Sequence, residues 1–442
     1  MKKLERRAII CLMMAAILLI GLGVFTFRFV KHGGEWATFY GNQAIYSNGH
    51  LNRGAVYDIN GELLVKNTKD SVEYNPDPDI RRATVHAVGN ERGDIQTSAL
   101  SIFKDKIIGY NLLTGTYSFS EKSNEIKLTL DADVCRTALD ALDGRNGTVG
   151  VYNYKTGEVI CMVSTPTFDP TSPPNVAEAE PGTFINKFIS ATYTPGSIFK
   201  LITAAAAIEN LDDLENFSYN CTGVRMVNGE AIRCSGIHGY VNFYSALSKS
   251  CNGVFSILSE RVGASTMQEY VDRLGLTSSY DLNGVKTKKG KFEFPDTRFN
   301  LGWAGIGQYK DQINPCSMMV YMGAIANGGR AANPYMIHSL LPKSGMTRKM
   351  IETETAEELQ EMMKYNVKTA YGFENFPDLD IYAKSGTAEN ASGLPNAMFS
   401  GFIKNEGCPY AFIVCVENGG YGYQVAAPIA NEVLQEVVSK RG

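Results

Sequence analysis

The chain has no surplus of basic charge: 42 Lys and Arg stand against 46 Asp and Glu, a net charge of −4 over 442 residues. A general nucleic-acid binder is therefore excluded, because phosphate neutralisation needs Lys and Arg clustered on one face. Histidine is scarce, five in all. HExxH, CxxC and the GxSxG elbow are all missing, so zinc-protease and Ser-His-Asp hydrolase chemistry lack their signatures. The nine cysteines show no metal-ligand spacing with the histidines, and neither a metal nor another cofactor is expected. Cys221 and Cys234 flank CTGVRMVNGEAIRC, which can close as a hairpin, so they are either two unpaired thiols or one disulfide in an oxidising compartment. Repeats and low-complexity tracts are absent too. With 44% hydrophobic and 20% charged residues, the composition is globular and not disordered.

One long apolar run is present. From Ala8 to Phe27 the sequence carries no charge; as a helix rising 1.5 Å per residue it spans about 30 Å, the hydrocarbon thickness of a bilayer. Lys2, Lys3, Arg6 and Arg7 precede it and only Arg28 and Lys31 follow closely, which places the N-terminus in the cytoplasm and the remainder outside. The run exceeds the h-region of a signal peptide, and no small-x-small site closes it. The expected organisation is a tail at 1–7, a membrane helix at 8–30, a small β-containing module at 31–146 and a main domain at 147–442.

In the module, Leu51 to Val65 alternates apolar and polar residues around Asn60-Gly61, a dipeptide that favours a type I′ hairpin. A second hairpin, Gly147 to Ser164 with its turn near Lys155-Thr156-Gly157, opens the main domain. Pro166 to Pro181 is rich in Pro, Ser, Thr, Asn and acidic residues and reads as a surface loop. Pro195-Gly196 then leads into SIFKLITAAAAIEN, a helix starting near Ser197. Helical patterns recur at Asn242 to Arg261, Pro315 to Ala326 and Glu352 to Tyr365. The last quarter reads as three strands, LDIYAKSGTAE, NAMFSGFIK and YAFIVCVEN, closed by a helix from about Ala426 to Lys440. Helices between an early hairpin and three late strands imply an α+β domain, an antiparallel sheet covered by helices.

Ser197 and Lys200, three apart on one helical turn, share a face. The serine can act as a nucleophile if the lysine takes its proton. An unperturbed lysine is neutral about once in 2,500 at pH 7, a deficit near 4.6 kcal/mol, so Lys200 has to be perturbed by burial or a neighbouring cation. SxxK is not specific alone, since Ser101 to Lys104 repeats it upstream. Ser218-Tyr219-Asn220 likewise imitates Ser250-Cys251-Asn252, and both Lys155-Thr156-Gly157 and Lys343-Ser344-Gly345 imitate Lys384-Ser385-Gly386. Context separates them: Ser218 to Asn220 reads as a polar loop, Lys155 as a hairpin turn, and Lys343 follows a proline, whereas Lys384 lies in a strand pattern where Gly386 admits a substrate backbone. Cys251 reads as a small apolar filler, and His238 as a loop histidine bonded to backbone.

The ordered set Ser197/Lys200, Ser250/Asn252 and Lys384 to Thr387 resembles the penicillin-binding proteins and serine β-lactamases, and most closely a monofunctional class B penicillin-binding protein. RGAVYDINGELL, YKTGEVICMVSTPTFDP, TPGSIFK, His238-Gly239, SCN, AIANGG, KSGTAE and NAMFSGF fall in that family's order. Departures are Ile59 where Arg is usual, Ser385 where Thr is commoner, Gly307-Gln308-Tyr309 without a final Gly, and Asn314-Pro315-Cys316 where Thr-Pro-Leu is expected. The last of these puts acceptor recognition in doubt.

The resemblance implies the penicillin-binding-protein transpeptidase fold, a five-stranded antiparallel sheet flanked by helices. It also implies a D,D-transpeptidase acting on peptidoglycan stem peptides and acylated by β-lactams. Ser197 would attack, Lys200 take its proton, and Ser250 relay a proton under the influence of Lys384. Asn252 would hold the donor amide, Ser385 and Thr387 its carboxylate beside Gly386, and the Ser197 and Thr387 N–H groups the oxyanion. The module at 31–146 is too short for a glycosyltransferase domain, so a SEDS-type membrane glycosyltransferase is the implied partner. A membrane-anchored serine β-lactamase and a catalytically silent scaffold remain alternatives.

Overall fold

The computed structural model describes residues 2–43, 45–117, 124–339, 345–389 and 393–442. Helix α1 (Lys2–Ala37) is apolar and exposed, with a mean hydropathy of 2.8 over its most apolar stretch. It runs past the expected end at residue 30. Beyond it, β1 (Gly54–Tyr57), β2 (Leu63–Asn67) and β3 (Val72–Tyr74) form a meander, α2 (Pro78–Val88) follows, and β4 (Glu125–Lys127) pairs parallel to β1. The β1–β2 turn is not type I′. Only Gly61 of the Asn60-Gly61 pair has positive φ, because the Asp58 carboxylate accepts from the Asn60 and Glu62 amides at 2.8 and 2.7 Å and holds a longer Asx-type turn.

Helix α3 (Ala132–Leu142) leads into the main sheet. Its buried N-cap, Asp131, accepts from Asn60 Nδ2 at 3.1 Å and from Arg441 at 2.9 Å, joining the hairpin turn to the last helix. Strands β5 (Gly147–Asn153) and β6 (Val159–Thr165) are the expected hairpin, and residues 166–181 carry no helix or strand. A 3₁₀ turn at Gly196–Phe199 runs into α4 (Lys200–Asn210). Next come β7 (Ser218–Cys221), β8 (Val224–Val227), β9 (Glu230–Arg233) and β10 (Gly239–Asn242). Ser218 to Asn220 thus belongs to a strand paired with β10 and not to a loop.

The helical pattern at 242–261 is two helices, α5 (Phe243–Ser248) and α6 (Asn252–Val262), separated by a turn at Ser250 with φ of 51°. Helices α7 (Pro315–Ala326) and α8 (Thr353–Asn366) precede β11 (Ile381–Ala388), β12 (Asn396–Ile403), β13 (Tyr410–Val416) and α9 (Gly422–Arg441). The last helix starts four residues before the expected Ala426. Its first residue packs on the sheet edge, where a Cβ at Gly422 would meet Gly386 O at 2.2 Å.

The five-stranded sheet has the order β6-β5-β13-β12-β11, antiparallel throughout. Helix α9 packs on one face and α7 on the other. Covered on both faces, β5, β6 and β13 are buried at every residue, which is why they read as continuous apolar runs without alternation. Strand β11 is at the edge, and its exposure alternates. Helix α7 is buried along its whole length.

Asn314 caps α7, accepting from the Ser317 amide, while its Nδ2 lies 2.9 to 3.3 Å from the carbonyls of Phe188, Ile189 and Ala191. This departure from the family pattern therefore has a local reason: an amide can cap the helix and satisfy a buried turn together, which a threonine hydroxyl cannot do at that reach. Asn314→Ala strands those carbonyls and is expected to cost about 2 kcal/mol or more; an unchanged thermal midpoint in detergent would contradict it.

Candidate active site

Three segments meet at the open edge of the sheet. Ser197 lies half-buried on the 3₁₀ turn, not on an α-helix as its sequence suggests. In 3₁₀ geometry residues i and i+3 eclipse, which brings Lys200 Nζ to 3.0 Å from Ser197 Oγ. The turn lies close against β11. A Cβ at Gly386 would meet Pro195 O at 2.7 Å, and one at Gly196 would meet Thr387 O at the same distance. Gly196 also has φ of 55°, and its N–H donates to Gly307 O at 2.8 Å. Glycine at these two positions is what lets the serine-bearing turn approach the strand.

The α5–α6 break supplies the second segment. Cys251 N–H donates to Ala246 O and Ser250 N–H to Leu247 O, fixing Ser250 in a left-handed conformation that costs a non-glycine residue about 1 kcal/mol or more. The turn presents three oxygens to Lys200 Nζ: Ser250 O at 2.7 Å, Ser250 Oγ at 3.0 Å and Asn252 Oδ1 at 2.6 Å. From β11, Lys384 Nζ lies 3.2 Å from Ser250 Oγ and donates to Ser385 O at 3.0 Å.

Both lysines are buried. Burial pushes Lys200 well below its usual range, with the Lys384 charge adding to the effect. Burial alone pushes Lys384 down to about 7. Ser250 O and Asn252 Oδ1 can only accept, so they take two of the N–H groups of Lys200; once the amine is neutral, its one lone pair is left to accept from the Ser197 hydroxyl. The perturbation that the sequence required of Lys200 thus has both of its physical causes in place.

The Ser385 and Thr387 hydroxyls each accept a bond from a neighbour, which leaves their O–H groups able to donate. Ser385 Oγ accepts from Tyr371 Oη at 2.8 Å, its N–H donates to the same oxygen at 2.7 Å, and Thr387 Oγ1 accepts from Gly422 N–H at 3.2 Å. Tyr371, stacked on Tyr423 with ring centroids 4.8 Å apart, is a positioning residue with no motif to announce it. Gln308 Nε2 donates to Thr387 O at 3.4 Å, and Tyr309, at the position of the missing glycine, has φ of 28°. Of the look-alike motifs, Ser101 bonds to Ile95 O in a separate helix and Lys155 is in the β5–β6 turn. Lys343 and Ser344 lie outside the described residues.

The cysteines depart furthest from expectation. The Sγ atoms of Cys221, Cys234 and Cys251 and a ring nitrogen of His238 all lie within 4.8 Å of one another, a grouping that linear spacing concealed. Cys251 is fully buried, as a filler would be, and the His238 ring faces Cys221 Sγ at 3.5 Å instead of the backbone. The Cys221 and Cys234 sulfurs, 3.6 Å apart, are not bonded.

A sequence model of the penicillin-binding protein transpeptidase domain matches residues 147–435. Over 327 residues the chain is 29% identical to peptidoglycan D,D-transpeptidase PbpA of Mycobacterium tuberculosis, covering 65% of this chain and 66% of that protein. It is 27% identical over 359 residues to stage V sporulation protein D of Bacillus subtilis, covering 72% of this chain and 54% of that protein. The chain therefore spans between about half and two thirds of the length of these relatives. Among solved structures, the ceftriaxone acyl-enzyme complex of M. tuberculosis penicillin-binding protein A matches with a TM-score of 0.73 at 24% identity, over 87% of this chain and 97% of that one. The D,D-transpeptidase domain of an Eggerthella lenta peptidoglycan glycosyltransferase matches at 0.72 and 21%, over 88% and 98%.

Between about pH 7 and 10 the folded chain holds Lys384 neutral while the unfolded chain binds its proton, so stability rises with pH across that window. Lys384→Met is expected to shrink that rise, read as thermal midpoints across the window; an unchanged slope would contradict the placement of this lysine.

Proposed function

Because the chain belongs to the penicillin-binding protein transpeptidase family, we propose that it is a peptidoglycan D,D-transpeptidase that cross-links stem peptides through an acyl-enzyme at Ser197. The observation that carries this reading is the unbroken polar chain from Ser197 Oγ through Lys200 Nζ and Ser250 Oγ to Lys384 Nζ, with steps of 3.0, 3.0 and 3.2 Å. It joins a nucleophile to a base and the base to a second hydroxyl, the arrangement acyl transfer needs.

The penultimate D-Ala carbonyl of a donor stem lies over Ser197, its peptide extended beside the edge strand β11. Lys200 accepts the hydroxyl proton as Oγ bonds to the carbonyl carbon. The oxyanion is held by the N–H groups of Ser197 and Thr387, where each donor is worth about 3 kcal/mol. The proton passes through Ser250 to the amine of the terminal D-Ala as the C–N bond breaks, and Lys384, 3.2 Å from Ser250 Oγ, orients that hydroxyl for the transfer. Asn252 orients the donor amide; Ser385 and Thr387, beside Gly386, receive the terminal carboxylate. An amine of a neighbouring stem then attacks the ester, returning the proton to Ser197 along the same path and leaving a peptide cross-link. A β-lactam acylates the same serine.

The apolar N-terminal helix fits a single-pass membrane anchor. The four basic residues before it support a cytoplasmic N-terminus and an extracytoplasmic catalytic domain. Residues 31–146 act as a pedestal, and glycan strands come from a SEDS-type glycosyltransferase partner.

Fluorescent penicillin is expected to label the full chain in detergent and its Ser101→Ala variant, but not Ser197→Ala. Equal labelling of all three would overturn the assignment, and rapid loss of bound label would indicate a β-lactamase. Lys200→Ala is expected to slow acylation by about 100-fold or more, and the parent rate is expected to fall with decreasing pH as Lys200 takes up a proton.

A further inference from the structure

We propose that the N-terminal module binds a phosphate group in a cavity at the extracytoplasmic foot of α1, with Lys104 and Asn67 as its donors. The SxxK look-alike at Ser101 to Lys104, which has no part in the catalytic centre, lines this cavity together with Tyr40, Tyr46, His50 and Asn67. The volume is about 290 Å³, at the lower limit of small-molecule sites. There is room for a phosphate and the glycerol it carries, and not for a glycan chain.

The fold builds this cavity where the anchor meets the module. The end of α1 packs on the short helix Lys104–Ile108, so closely that a Cβ at Gly34 would meet Asp105 Oδ2 at 2.8 Å. Phe103, buried at the break between this helix and Ala99–Ile102, fixes Lys104 at the start of its turn. Tyr46 stands opposite. Its ring lies 5.2 Å from that of Tyr40 and its Oη donates to Thr38 O at 3.2 Å, which ties it to the segment that leaves α1. Lys104 Nζ is 6.0 Å from the centre of the Tyr46 ring. Asn67, the last residue of β2, closes the far wall.

Two donors in this cavity have no acceptor. Asn67 is buried, and its Nδ2 has no hydrogen-bond partner among the described residues, an uncommon state for a buried amide. Lys104 is half-buried and makes no hydrogen bond or ion pair among the described residues. The acidic groups nearby are engaged by others. Glu91 Oε1 lies 3.1 Å from His50 Nδ1, and Asp94 Oδ2 accepts from Asn90 Nδ2 at 2.6 Å and Arg92 Nε at 2.9 Å. His50 has no nitrogen to spare, since its Nε2 faces Thr68 O at 3.2 Å. An ammonium and an amide N–H that converge without an acceptor suit an anion with several oxygens, and lysine meets phosphate as a point charge.

Position selects phosphate among the anions. Trp36, Phe39 and Tyr40 are exposed where α1 ends, the placement aromatic residues take at a membrane–water interface. Phosphodiester head groups are the anions of that surface, and basic pockets beside membrane helices receive them. A head group held by Lys104 would set the height and tilt of the module above the bilayer. A lipid source rests on the reading of α1 as an anchor; the site itself does not.

The test uses the full chain in a phosphate-free non-ionic detergent. Glycerol phosphate, titrated by calorimetry, is expected to bind once per chain. Lys104→Gln should weaken it about tenfold or more, and Lys104→Arg should retain it. Native mass spectrometry of the chain taken from membranes separates the sources. A phospholipid kept by the parent and lost by Lys104→Gln supports the site with a lipid head group, while glycerol phosphate binding without retained lipid supports it with a soluble phosphate. Neither binding nor retained lipid overturns the site, as does binding that Lys104→Gln leaves unchanged. Succinate that binds as tightly as glycerol phosphate overturns the choice of phosphate. Fluorescent penicillin should label parent and variants alike. A parent that binds phosphate but takes no label supports the site while overturning the transpeptidase reading.

Discussion

Lys200 is buried without an acidic partner among its described contacts, and the site depends on how its neighbours manage that burial. Moving an ammonium out of water into this position is unfavourable, and the fold compensates by releasing the proton instead of supplying a carboxylate. Lys384, also buried and of the same charge type, reinforces the effect. The two oxygens that can only accept then set the direction of the neutral amine's lone pair. A carboxylate placed beside Lys200 would restore its proton and leave Ser197 without a base. The site therefore depends as much on which groups are kept away as on those present.

Holding the parts at hydrogen-bonding distance is a problem of backbone approach. The serine-bearing turn, the α5–α6 break and the edge strand belong to different layers, and ordinary side chains would keep them apart. Gly196 and Gly386 remove that barrier at the contact between turn and strand, and the Ser250 turn accepts backbone strain to aim its oxygens inward. Both faces of the sheet are covered by helices, so the strain is borne by a rigid support. Tyr371 and Asn314 act further out: one fixes Ser385 on the strand, and the other joins the α7 cap to the turn ahead of the serine.

The thiol and imidazole cluster adds a constraint of a different kind. Hydrogen bonds within the lobe bring Cys221, Cys234 and His238 together, and Cys251 and the Asn252 bond to Arg233 O connect them to the reactive residues.

Features that rest on local periodicity or turn chemistry could be read directly from the residues: the apolar N-terminal run, the two hairpins, the three late strands and the three ordered motifs. The look-alike motifs could be set aside largely by the same local means, although Ser218 to Asn220 proved to be strand. The form of the Asn60-Gly61 turn escaped because a carboxylate two residues earlier competes for its amides. The break within 242–261 escaped because helical periodicity continues across it, and the strain at Ser250 leaves no mark in composition. Tyr371 could not be read at all, and of the Cys221, Cys234, His238 and Cys251 cluster only the approach of the first two across a hairpin could be. Their spacings match no short-range rule, and their proximity exists only after strands, hairpin and helix have packed. Sequence by itself determined which reactive groups the chain carries and which local elements bear them. Tertiary structure alone decided which of them meet and in what protonation state, because burial and distance are properties of packing between segments remote along the chain.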